Sequence, residues 1–173
     1  MLDLNKLSSK YLARRMSEHD ADSILTLCRG NTLFYEYANA EPTVEQVLND
    51  LRITPPGIDI KDKYYIGFYA GEKLVAVMDL IDGFPEKDIA FIGFFMMAAE
   101  LSGRGIGSEI IAETAEYLRS IGMSAIRLGI DAENPQSNAF WRKNGFKAIK
   151  EVDNDGQLIV LAEKALIDGS NVL

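Results

Sequence analysis

One stretch, Ser102-Gly103-Arg104-Gly105-Ile106-Gly107, constrains what this chain can fold into more than any other, because of its neighbours. Before it, Ile89 to Met97 is a continuous apolar run of the kind a strand buried on both faces needs. After it, Ile110, Ile111, Ala115 and Leu118 recur at helical spacing and give a helix one apolar face. A strand, a glycine-rich turn and a helix in that order leave backbone N–H groups free at a helix N-terminus. Free donors and the positive end of the helix dipole together suit an anionic phosphate. The plain alternative is a turn that binds nothing.

Spacing excludes two phosphate-binding motifs. A P-loop needs Lys-Ser or Lys-Thr directly after its last glycine, and no such pair follows here. A dinucleotide fingerprint started at Gly103 or Gly105 would need its third glycine where Ser108 or Ile110 stands.

Further along, Ala125 to Ile130 reads as another strand. Asn134-Pro135-Gln136-Ser137-Asn138 follows, and then Ala139-Phe140-Trp141-Arg142-Lys143-Asn144-Gly145-Phe146. Over about Ile89 to Ile149 this resembles the GNAT family of N-acetyltransferases. That family carries [Q/R]-x-x-G-x-[G/A] after its fourth strand and a later Asn-x-x-Ala…Tyr-x-x-x-Gly-Phe segment. Gly105, Gly107, Asn134, Gly145 and Phe146 match. Ser102 stands where Gln or Arg is usual, Ser137 where Ala is usual, and Trp141 where Tyr is usual. The family Tyr often protonates the departing thiolate. An indole N–H donates a hydrogen bond but cannot supply a proton as a phenol of pKa about 10 does.

The resemblance implies an acetyl-coenzyme A site. Its pyrophosphate lies on the amides of Gly103, Arg104, Gly105, Ile106, Gly107 and Ser108, with Ser102 still able to donate a bond and a contact from Arg104 or a merely solvated arginine as alternatives. The pantetheine arm runs beside the fourth strand where the fourth and fifth strands part, which brings Met96 and Met97 to the gap. The Met97 N–H is the expected donor to the thioester oxygen, a contribution worth about 3 kcal/mol for one well-placed donor. Asn134 and Ser137 line the other side, with an Asn-Pro turn as the alternative for Asn134. Trp141 packs at the thiol end or serves as core. The expected proton acceptor is Asp131 or water. Asp79, Glu36 and Asp82 are further carboxylates expected near the acceptor, and Phe34, Tyr35 and Asp79 form the expected acceptor pocket.

Composition limits the other classes. With 173 residues the chain is expected to form one domain over 1–173. It shows no apolar run of signal-peptide or membrane-spanning length, so a cytoplasmic protein is expected. Cys28 is the single cysteine and His19 the single histidine. An internal disulfide is therefore impossible, and His-based metal sites and Ser-His-Asp catalysis are disfavoured, so no metal is expected. A formal charge of −8 disfavours nucleic acid and mildly favours a cationic acceptor.

Local patterns predict strands over 10–16, 64–69, 73–81, 89–97 and 125–130, with two more after Phe146. Helices are predicted from Ser17 to Cys28, from Thr43 to about Leu51, and after each motif. Asn31 to Ala40 reads as irregular. This gives an α/β chain of the α+β type in the GNAT order β-α-α-β-β-β-α-β-α-β-β. Its mixed, mostly antiparallel sheet has about seven strands flanked by about four helices. The leading function is transfer of an acetyl group from acetyl-CoA to a primary amine of a small molecule or a protein. A GNAT-fold sensor that binds acyl-CoA with little catalysis is the alternative, and a nucleotide-binding protein a third. Homodimers are frequent in the family, which makes a homodimer a further expectation of the resemblance.

Overall fold

The computed structural model describes residues 1–38 and 40–167. Asn39 and residues 168–173, which the single-domain expectation also covers, lie outside the described residues. Seven strands form one sheet in the order β1-β2-β3-β4-β5-β7-β6. They are β1 (Leu12–Arg15), β2 (Lys63–Ala70), β3 (Lys73–Asp82), β4 (Ile89–Met97), β5 (Ala125–Asp131), β6 (Lys147–Asn154) and β7 (Gln157–Ala165). Every adjacent pair is antiparallel except β4 and β5. Five α-helices accompany them among the described residues: α1 (Ala21–Arg29), α2 (Thr32–Tyr37), α3 (Val44–Arg52), α4 (Ile106–Ser120) and α5 (Pro135–Lys143).

The extra helix is α2, which falls in the segment expected to be irregular. None of its six residues is buried, and its ring contacts run sideways, Phe34 meeting Phe94 of β4 edge-on at 5.8 Å. Tertiary packing rather than an apolar stripe makes it helical. The segment after Ser17 opens as a 3-10 turn over Glu18–Asp20 before α1 begins. At α3 the expected cap is present, Thr43 Oγ1 accepting the Gln46 N–H at 3.1 Å.

Period-two alternation lets the central strands serve two cores. On β3, Ala76, Met78 and Leu80 join Ile110, Ile111 and Leu118 of α4 on one face. Val77 joins Ile24, Leu25 and Cys28 of α1 and Val47 of α3 on the other. Each fully buried Ile or Leu here contributes about 1.5–3 kcal/mol relative to exposure. Among the described residues the core of the second face includes no residue of β5, β6 or β7, and Ile159 and Leu161, which face that side, stay only partly buried. One register irregularity bears on function. Asp79 pairs with Phe94 and Leu80 with Ile92, which makes Gly93 an extra residue, a β-bulge in the middle of β4.

Candidate active site

The bulge sits where the sheet opens. The parallel pairing of β4 with β5 begins at Ile89↔Ala125 and ends at Ile92↔Leu128. Beyond it, Gly93 to Met97 has no strand partner on the β5 side among the described residues, and residues 129–131 of β5 pair only with β7. The Ala98 N–H donates to the Val75 carbonyl of β3 at 2.9 Å. Successive strand N–H groups face opposite edges, so the N–H of Met97 faces the gap. Asn31 reaches the same edge, donating from Nδ2 to the Met97 carbonyl at 2.9 Å.

A cleft runs along this gap. Its first half is lined by Phe34, Met96, Met97, Ser102, Gly103, Gly105, Ile106, Gly107, Ser108, Ser137 and Trp141 among the expected residues. It opens onto the start of α4, where Gly105 is the N-cap with φ +79° and no capping side chain. The first helix amide with a partner is that of Glu109, which donates to the Gly105 carbonyl at 3.0 Å, so the amides of Ile106, Gly107 and Ser108 stay available. A Cβ on Gly105 would meet nothing within 4 Å. The glycine is thus needed for its left-handed backbone, and the space above it is open to a ligand. Gly107 is different, since a Cβ there would press at 3.3 Å on both Met97 and Phe140. The Arg104 side chain is exposed and does not line the cleft, a departure from the expected phosphate contact.

Helix α5 forms the opposite wall. Asn134, 1% exposed, caps it, with Oδ1 accepting the Ser137 N–H at 3.0 Å and Pro135 in the first turn. Its carboxamide oxygen is therefore spent on the helix, although the residue lines the second half of the cleft. Trp141 is 8% exposed. It belongs to the core, against Phe140 at 4.9 Å and Phe146 at 5.0 Å, and it lines both halves of the cleft.

The second half of the cleft lies on the sheet face that carries α1 and α3, beyond the part those helices cover. Phe34 of α2, Gly93 and Phe94 of β4, Gly129 and Asp131 of β5, and Ile159 of β7 line it. Asp131 is at the cleft, but both its oxygens are engaged. Oδ1 accepts the Glu133 N–H at 2.9 Å and Oδ2 accepts from Gln157 Nε2 at 2.8 Å. Tyr35 lies elsewhere, in a separate hollow with Arg29 and Glu36, and burial pushes its hydroxyl well above the usual range, with a hydrogen bond to Cys28 adding to the rise. Glu36 and Asp82 do not line the cleft.

Asp79 lies beneath the floor. It is buried, and its Oδ2 accepts from the buried Lys63 Nζ at 2.6 Å. Burial raises its carboxyl above the usual carboxylate range, and the bond from Lys63 opposes that rise. Among the described residues no group of three or more His, Cys, Asp or Glu side chains is placed to hold a metal ion, and no helix is long and apolar enough to cross a membrane.

Sequence reasoning missed several cleft residues. Asn31, Phe95 and Phe140 line it, and so does Lys143, a cation brought to the first half from the end of α5. Phe95 and Phe140 stack at 5.9 Å. The signal for Lys143 and Phe140 was present, since both lie within helical reach of Gln136 and Ser137 on α5. Asn31 carried no comparable signal, because it approaches through the tertiary fold.

Solved structures of acetyltransferases share this fold. No curated protein matches this sequence. Many solved structures share the fold. One is an acetyltransferase from Thermus thermophilus, 20% identical, with TM-score 0.73, covering 90% of this chain and 97% of that one. A PaiA N-acetyltransferase from Thermoplasma acidophilum in complex with coenzyme A is 19% identical, with TM-score 0.65 over 90% and 98% of the two chains. The ribosomal-protein-S18-alanine N-acetyltransferase of Escherichia coli is 13% identical, with TM-score 0.65 over 94% and 99%. The model of the acetyltransferase (GNAT) family matches residues 30–146, more than half of the sequence, and the chain therefore belongs to the GNAT acetyltransferase family.

Proposed function

We propose that this chain is an acetyl-CoA-dependent N-acetyltransferase that moves the acetyl group to a primary amine by direct attack on the thioester. The carrying observation is the early end of the β4–β5 pairing at Ile92↔Leu128, which leaves an unpaired strand edge leading straight to the uncapped start of α4. An extended arm with amide groups fits such an edge as an added strand, and a pyrophosphate fits the free amides at its end. The coenzyme A held by the PaiA neighbour supports this ligand, and the amine acceptors named for several neighbours support the acceptor class.

In this reading Ile106, Gly107 and Ser108 hold the pyrophosphate through main-chain N–H groups, and Lys143 adds a cation. The Met97 N–H donates to the thioester oxygen as negative charge gathers there, the type of contact that lowers a barrier by about 3 kcal/mol. The amine nitrogen bonds to the carbonyl carbon, the C–S bond breaks, the sulfur leaves as thiolate, and the proton shed by the nitrogen passes to water or to Asp131 at the cleft. A thiolate of ordinary pKa leaves near neutral pH without prior protonation, so Trp141 in place of a phenol is compatible with turnover. Trp141 and Phe95 keep water from the reacting carbon, and holding the two reactants side by side supplies the remainder. Cys28, buried and single, suits a reducing cytoplasm.

Calorimetric titration with acetyl-CoA, with NAD and ATP as controls, tests the ligand, and thiol release in the presence of amines tests the reaction. Micromolar binding of acetyl-CoA alone among the three, with thiol release, is the expected result. Binding without release from any amine would favour the acyl-CoA sensor, and no binding would end the transferase reading.

A further inference from the structure

Asn31 occupies the cap position of α2 and does not cap it. An asparagine there ordinarily accepts an N–H of the first turn through Oδ1, as Asn134 does at α5, but α2 has no such bond. The carboxamide turns to the sheet instead. Nδ2 donates to the Leu27 carbonyl of α1 at 3.0 Å and to the Met97 carbonyl of β4 at 2.9 Å. Two carbonyl acceptors fix which end of the amide is nitrogen, since the reverse orientation would set oxygen against oxygen at both contacts.

Both Nδ2 hydrogens are thereby used, and Oδ1 accepts no hydrogen bond from any described residue. Nor is it shut away. Among the described residues, the buried side-chain oxygens and nitrogens that lack a partner are Asp79 Oδ1 and Thr114 Oγ1. Asn31 is half-buried and lines the first half of the cleft, so Oδ1 is an unspent acceptor there. It is carried on an amide anchored to Met97, whose own N–H faces the gap. Phe34, one helical turn beyond Asn31, lines both halves of the cleft, as do Phe95 and Trp141. An amine crossing from the second half to the Met97 N–H therefore passes along α2 toward Asn31.

We propose that Asn31 Oδ1 receives an N–H of the attacking amine and holds its nitrogen against the thioester carbon, while the Met97 N–H holds the thioester oxygen. This rests on the acetyltransferase reading and deepens it by assigning the group that orients the nucleophile. The neutral amine attacks with its lone pair, and a primary amine brings two N–H groups. One stays on Asn31 and remains in the product amide. The other is shed once the N–C bond has formed, its proton passing to water or Asp131. A carboxamide oxygen is no base near neutral pH, so Asn31 orients the nitrogen and takes no proton. Because the same amide grips Met97, nucleophile and oxyanion donor share one frame.

Thiol release by the full chain with 2-phenylethylamine, spermidine and an alanyl peptide identifies the fastest of the three acceptors, and two variants are then compared with it. Asn31→Ala removes the amide. Asn31→Ser also removes it but supplies a hydroxyl able to cap α2, which protects the fold. In both, kcat/KM for the amine is expected to fall about 10-fold, the loss of one hydrogen bond to the reacting nitrogen. Acetyl-CoA affinity by calorimetry is expected to stay unchanged. So is the infrared band of bound acetyl-CoA isotope-labelled in its acetyl carbonyl, which reports the bond from the Met97 N–H, because pairing with β3 keeps β4 in place. An amine kcat/KM indifferent to both variants overturns the proposal and leaves the transferase reading intact. A fall accompanied by a shifted band or weakened acetyl-CoA binding does the same, since Asn31 would then only brace Met97. Absence of acetyl-CoA binding to the unaltered chain, or of release from every amine, overturns both.

Discussion

Helices α4 and α5 each follow a strand of the parallel β4–β5 pair, and both start at the cleft, yet their first turns are finished differently. At α5, Asn134 takes the Ser137 N–H, and Pro135 brings no N–H at all. At α4, a glycine with left-handed backbone stands at the cap position, and three successive amides have no partner among the described residues. Both ends carry the same dipole, worth about 0.3–1 kcal/mol for a nearby charge, so the dipole alone cannot choose between them. Unspent donors make the choice. What α5 offers instead is its side: Ser137, Phe140, Trp141 and Lys143 face the cleft along its length.

Four variants put this contrast to the test. The largest effect is expected from Gly105→Glu, which forces a side chain with a negative charge into the open space above the amides. Acetyl-CoA affinity should fall about 100-fold or more by calorimetry, the loss of two charge-assisted hydrogen bonds. Lys143→Ala should weaken binding by about 5- to 10-fold, with a shallower dependence on salt, since it removes one cation near the surface. Asn134→Ala should do the reverse of Gly105→Glu. It costs stability, about 1 kcal/mol in denaturant unfolding for a lost cap, and leaves acetyl-CoA affinity within about 3-fold. A large affinity loss with unchanged stability would put a ligand on Asn134 and erase the distinction between the helix ends. Arg104→Ala should change affinity by less than about 2-fold, because the side chain stands outside the cleft.

The parts of the fold governed by nearest neighbours were legible before the structure was. β4 spans Ile89–Met97 as its apolar run indicated, and α4 starts at Ile106, with Gly107 of the glycine-rich turn inside its first turn. Both depend on local composition. The hairpin of β2 and β3 was equally plain, with its turn at Gly71. Helix α2 was not, because Phe34, Tyr35 and Tyr37 are indifferent helix formers, and contact with β4 decides their conformation. The pairing of Lys63 with Asp79 was hidden for a similar reason. It joins residues 16 apart through a hairpin register, and only the register shows that two charged residues share a buried face. Gly93 did carry a clue, since a glycine within an apolar strand often marks a bulge.

The parted edge of β4 also decides how the site will answer mutagenesis. Met97 presents a main-chain N–H to the gap, and the start of α4 presents three more. Removing a side chain leaves each of these donors where it was, so an alanine scan of the region will read mostly packing and miss the groups that hold the ligand. Only changes to the chain itself reach them: a proline that deletes an N–H, or an ester in place of one amide. The same property frees the side chains to drift, provided the backbone keeps its path.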